Sequence, residues 1–164
     1  MLRYVVLAKR NAQLGNRLTM HAHLLACCLE KKCTFVNPTL GEYGDFFVGT
    51  RGRLFIQGGS HVKERALRRW QHPLAFLSVR TLYQLTKISR VLPWFPLQSA
   101  KATRNPSGKG MWEFLEELEL KGGRIAFVST WNIRNHGLCA KHAEAIRPIF
   151  SPLPELKNNV EERL

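Results

Sequence analysis

Residues 3–37 read RYVVLAKRNAQLGNRLTMHAHLLACCLEKKCTFVN, and the order of patterns in this stretch decides the fold class. Residues 3–8 (RYVVLA) hold an unbroken run of apolar β-formers, as in a strand covered on both faces within a parallel sheet. A turn from Lys9 to Gly15 leads into a helix expected from about Asn16 to Lys32. Its apolar stripe, Leu18, Ala22, Leu25 and Leu29, steps by four, three and four along one helical face. Asn16 is placed to cap the amino end, and Lys31 and Lys32 suit the negative carboxyl end of the helix dipole. Cys33–Asn37 (CTFVN) predicts the next strand, closed by Pro38. Strand, helix and strand in that order make a βαβ unit, so the chain is expected to form an α/β, three-layer, Rossmann-like domain on a short parallel sheet.

Outward from this unit the patterns are less regular. Residues 38–60 are rich in glycine and read as loop. Residues 61–92 look helical in two pieces, broken near His72-Pro73. Residues 111–120 (MWEFLEELEL) predict a short acidic helix, and 124–130 (RIAFVST) a third strand. A helix is expected over His136–Phe150, with Leu138, His142, Ala145 and Ile149 on one face, ended by Pro152 and Pro154. The closing LKNNVEERL begins another helical pattern.

The chain has 164 residues, 45% hydrophobic and 23% charged, which suits one globular domain and excludes a collagen-like or disordered class. No uncharged run exceeds twelve residues (18–29), too short to span a bilayer. The first apolar run, Tyr4–Ala8, is too brief for a secretory signal core, so a cytoplasmic protein, at most peripheral to the inner face of a membrane, is expected. Cys27, Cys28, Cys33 and Cys139 then read as reduced thiols.

Charge is unevenly spread. Twenty-five Lys and Arg oppose twelve Asp and Glu, for a net +13. Residues 51–104 hold 11 basic residues and 1 acidic, while 105–164 hold 8 of each. A block of this kind suits nucleic acid, an anionic membrane surface or phosphate-bearing substrates, or else a solvated basic face without a ligand. Leu74–Phe95 mixes Leu, Phe, Tyr and Trp with Arg80, Lys87 and Arg90, a composition that fits either a helix packed on the sheet or a segment in a membrane interface.

Site chemistry concentrates at residues 12–17 (AQLGNR), in the turn from strand to helix. Free backbone N–H groups and the helix dipole there offer a seat for phosphate. Gly15 allows close approach, Asn16 can hydrogen-bond, and Arg17 brings a bidentate donor fork. The alternative is a plain capped helix; neither a dinucleotide fingerprint nor a P-loop is present. By itself a fold gives little reason for an arginine in a first helical turn. Metal chemistry has thin support, because Asp45 is the only aspartate, His21 and His23 point to different helix faces, and the cysteines lack paired zinc spacing. Gly59-Ser60-His61 sets a serine beside a histidine without the context of a nucleophile elbow.

YVVLAKRNAQLGNRLTMHAHLLA, followed by TFVNPTLGEYGDFF, resembles the N-terminal region of fucosyltransferase-like glycosyltransferases, the α-1,2-fucosyltransferase and protein O-fucosyltransferase grouping. FVSTWNIRNHGLCAKHAEAIRPIFSP looks like the segment those proteins carry before their second half. The resemblance implies the N-terminal half of a GT-B-like enzyme, residues 1–164 forming one α/β domain, with the second half and its His-x-Arg-x-Gly-Asp type motif absent. It implies metal-independent transfer of fucose from GDP-fucose to a glycan or protein hydroxyl, with no cofactor. Gln13, Gly15, Asn16 and Arg17 would then face the donor diphosphate, supported by His23. The implied partners are a nucleotide sugar, an acceptor and a C-terminal half. A non-catalytic module that binds an anionic surface through residues 51–104 is the competing class, with a membrane preferred over nucleic acid.

Overall fold

The computed structural model describes residues 2–8, 13–51, 55–57, 71–85, 98–100, 115–116, 124–129 and 134–161. Strand β1 (Tyr4–Leu7) leads to helix α1 (Leu14–Lys31) and strand β2 (Thr34–Val36). A 3-10 turn (Gly41–Phe46), strand β3 (Phe55–Gln57), helix α2 (Gln71–Leu85), strand β4 (Gln98–Ala100) and strand β5 (Ile125–Val128) follow. Helices α3 (His136–Lys141) and α4 (Ala143–Ile146), a 3-10 segment (Arg147–Phe150) and helix α5 (Pro154–Glu161) complete the described elements.

The sheet order is β3-β2-β1-β5-β4. β1 runs parallel to β2 on one side and to β5 on the other, and β4 is parallel to β5. The expected parallel sheet is therefore present, with one difference. β3 is an antiparallel edge strand, paired through Phe35↔Ile56. A stretch of 18 residues separates β2 from β3 without a long helix, so the chain can turn back beside β2 instead of crossing over.

Alternation along the strands partitions the core. Val5 and Leu7 of β1, Phe35 of β2, and Ala126 and Val128 of β5 join Leu24, Leu25, Cys28 and Ile146 on one face. Val6, Ala8, Val36 and Phe127 meet Val79, Ala75 and Tyr83 of α2 on the other. Register enforces this: Val5 pairs with Phe35 and Ala126, and Val6 with Val36 and Phe127. The result is a layer of α1, α3 and α4, the sheet, and a layer containing α2.

Two helices differ from expectation. α1 begins at Leu14, with Gln13 at the cap position making no side-chain bond. Arg17 N–H donates to the Gln13 carbonyl at 3.2 Å, closing the first turn, so Asn16 lies inside the helix and is not its cap. The buried face also differs from the expected stripe: Leu25 is buried but Leu18, Ala22 and Leu29 are only half-buried, while Met20, His21, His23, Leu24 and Ala26–Cys28 are buried, because α3 and α4 cover α1 as well as the sheet. At its other end Lys32 adopts a left-handed conformation (φ 53°), and its N–H reaches back to the Leu29 carbonyl.

The helix expected over His136–Phe150 is three pieces. His142 (φ −104°, ψ 18°) leaves the α region, and Pro148, with no N–H to donate and a ring that crowds the preceding turn, holds the continuation in 3-10 form. Downstream, Val48 N–H donates to Ser151 O, Gly49 N–H to Ile149 O and Leu153 N–H to Phe46 O. A Cβ on Gly49 would lie 2.4 Å from Ile149 Cα, so this close backbone approach admits glycine alone. Pro154, expected only as a breaker, opens α5. The acidic helix over 111–120 lies outside the described residues apart from Leu115 and Glu116, which are helical; Leu115 is fully buried in the α1-side core. Of the two pieces expected over 61–92, only α2 is described, with Pro73 in its first turn. No described helix is long and apolar enough to cross a membrane.

Candidate functional site

The chain passes from β1 through α1 to β2 on one side, whereas β5 pairs on the other side of β1. The strands run parallel, so the carboxyl ends of β2, β1 and β5 lie along one edge of the sheet, and the helices that follow β1 and β5 pack together on the same face. The amino end of α1 faces this edge. Lys9, Arg10, Asn11 and Ala12 lie outside the described residues; Gln13, Gly15 and Asn16 are described, and all three are exposed. The first turn of α1 carries no acidic residue, so nothing in it offsets the positive end of the dipole. The position a Cβ would take on Gly15 is open, with no atom within 4 Å, so packing does not demand glycine there.

Arg17 is held differently from expectation. Its guanidinium lies over the Tyr43 ring, 5.3 Å from the centroid, so the fold itself supplies a partner for this arginine. Tyr43 sits in the 3-10 turn after β2, a neighbour that sequence spacing did not single out. The contact holds the charged group beside the segment that follows β2.

His23 is not part of the turn. It is buried one side of α1, where Nδ1 accepts the Asn135 backbone N–H at 2.9 Å and lies 3.1 Å from Cys139 Sγ. The backbone bond requires Nδ1 to be unprotonated, so a thiolate–imidazolium pair with Cys139 would forfeit it. Burial pushes the Cys139 thiol up and the His23 imidazole down, which keeps both groups neutral and opposes a nucleophilic pair. The role of His23 is to fasten the segment after β5 to α1.

His21 does the same on the opposite side. Asn37 Oδ1 accepts from Thr39 N–H (3.0 Å) and Thr39 Oγ–H (2.7 Å), so its amide nitrogen must donate to His21 Nδ1 (2.9 Å). His21 is then the Nε2–H tautomer. Phe35 and Phe150 stand edge-to-face with it at 4.9 and 5.1 Å, and Nε2 has no hydrogen-bond partner among the described residues. Desolvation lowers its pKa to about 3. Thus the two histidines, two residues apart and on different faces as expected, anchor the exits of β2 and β5 to one helix.

The remaining chemistry is modest. Cys27, Cys28 and Cys33 are buried free thiols; burial raises Cys27 to about 12 and Cys28 in the same direction. Among the described residues no group of three His, Cys, Asp or Glu side chains is arranged to hold a metal ion. Ser60 and His61 lie outside the described residues.

The fold defines the chain as a mixed α/β protein with an open, largely parallel sheet. Neither a family model, nor a curated protein, nor a solved structure matches it.

Proposed function

We propose that this chain is the N-terminal half of a fucosyltransferase-like glycosyltransferase, and that the amino end of α1 faces the diphosphate of a GDP-sugar donor. The observation that carries the reading is Gly15. It lies exposed in the first turn of an 18-residue helix, where neither packing nor backbone conformation calls for glycine. A glycine there costs helix stability relative to alanine, and close approach of a ligand to the backbone accounts for it. Two features support the assignment: the first turn lacks an acidic residue, and Arg17 is pre-positioned by Tyr43. The resemblance of GNR (15–17) and its flanks to the fucosyltransferase-like turn supports a nucleotide diphosphate as the anion. Its charge would be met by N–H groups and guanidinium, without a bound cation. Glycosyl transfer needs fixed positive charge on the departing diphosphate, and Arg17 and the helix end would supply part of it.

Titration of the protein with GDP, alone and with EDTA, tests this. Gly15→Ala is expected to keep or slightly raise thermal stability while weakening GDP binding. Arg17→Ala should weaken binding by about tenfold, the worth of one charge-assisted hydrogen bond of ~1.5 kcal/mol or more. GDP affinity unchanged in both variants would return the turn to a purely structural role, and a requirement for a divalent cation would contradict the family assignment.

A further inference from the structure

α2 presents two faces of different kinds. Ala75, Val79 and Tyr83, spaced by four, pack onto the sheet. Leu74 and Leu77, on the other side, are 54% and 58% exposed, and Leu82 and Leu85 are 41% and 38% exposed. Four leucines on the solvent side of a 15-residue helix form an apolar strip for which packing within the described fold gives no use. The helix has no acidic residue, and its single charge, Arg80, is exposed. In sequence it is flanked by Arg68 and Arg69 before it and by Lys87 and Arg90 after it, within the segment that holds 11 basic residues and 1 acidic.

These properties together select the occupant. A second copy of the chain would satisfy the leucines but would bring two strongly basic segments against each other. Nucleic acid would satisfy the charge, yet it offers nothing to leucine side chains. An anionic lipid surface meets both requirements, with phosphate headgroups for Lys and Arg and the acyl boundary for leucine. We propose that α2 is the membrane-contacting element of this protein, lying in the plane of an anionic bilayer surface with Leu74, Leu77, Leu82 and Leu85 inserted at the headgroup–acyl boundary. None of these leucines is among the residues placed at the amino end of α1, and the vesicle assay contains no nucleotide, so the inference stands whether or not GDP binds.

Flotation of the full chain with vesicles tests it. Phosphatidylcholine vesicles, phosphatidylcholine–phosphatidylglycerol vesicles and double-stranded DNA are compared for the wild type and for the Leu74→Gln/Leu77→Gln double variant. The wild type should float with the anionic vesicles and far less with the neutral ones. The double variant, which changes only exposed side chains and should melt at the wild-type temperature, should lose about tenfold or more in vesicle partitioning while its DNA binding stays unchanged. Equal vesicle binding by variant and wild type would reduce the contact to charge alone and overturn the proposal. So would absence of wild-type binding, or a concentration-dependent dimer in sedimentation that the double variant abolishes.

Discussion

His21 carries a penalty that depends on solution pH. Its imidazole is fully buried, with a pKa near 3 in the folded protein against about 6.5 in the unfolded chain. Above pH 6.5 the group is neutral in both states and costs nothing. Below that value the unfolded chain takes up a proton that the folded protein refuses, so stability falls toward pH 3, by at most about 1.4 kcal/mol per pH unit. His23, also lowered, acts in the same direction. Urea unfolding measured between pH 7.5 and 4.5 should show this decline, and His21→Leu should flatten it while lowering stability at neutral pH by leaving the Asn37 amide unpaired. A wild-type slope unchanged in the variant would place the titration elsewhere. The pair His21 and His23 was readable as facing two ways, but their partners were not. Asn37 and Asn135 lie 16 and 112 residues away from the histidines they bind, separations that no local pattern encodes.

At the scale of elements, the strands that carry the core were the most legible. β1, β2 and β5 are runs of β-branched and aromatic residues, and each stands within two residues of the expected span at either end. β3 and β4 were not foreseen, since three-residue edge strands such as QSA have little intrinsic preference and owe their form to a neighbour's ladder. The break at His142 was equally hidden, because the apolar spacing through Leu138, His142, Ala145 and Ile149 is helical throughout. What defeats it is tertiary: Glu30 of α1 binds both Lys141 Nζ (2.7 Å) and His142 Nε2 (2.8 Å), and Pro148 lies just beyond. α3 is instead set by Asn135, whose Oδ1 accepts the Leu138 N–H at 3.0 Å. Asn135→Ala should therefore lower the unfolding free energy by about 1 kcal/mol, and Asn135→Asp should retain most of it, in denaturant melts. Equal stability of the alanine variant would show that the short helix is held by its packing on α1 alone. For the candidate site, the turn and its glycine were visible in sequence, but the contact of Arg17 with the Tyr43 ring depended on where the 3-10 turn falls.

For the molecule as a whole, the decisive pairing is that of β1 with β5, which joins Tyr4 to Ile125 and Leu7 to Val128 at the centre of the sheet. Among the described strands, before β5 is present β1 has only β2 beside it, and β4, which pairs with β5, has no partner. A chain shortened to residues 1–123 should accordingly lack a cooperative thermal transition by circular dichroism, whereas the intact chain shows one. A sharp transition in the shortened chain would mean that β1, α1 and β2 form a self-sufficient nucleus. The same pairing has a consequence on the ribosome. The residues that emerge first must wait for more than a hundred others before their final neighbour exists, and closing so large a loop makes core formation slow. Throughout that interval the YVVL edge is a naked apolar strand, which makes it the segment of this protein most in need of a chaperone's hold during synthesis.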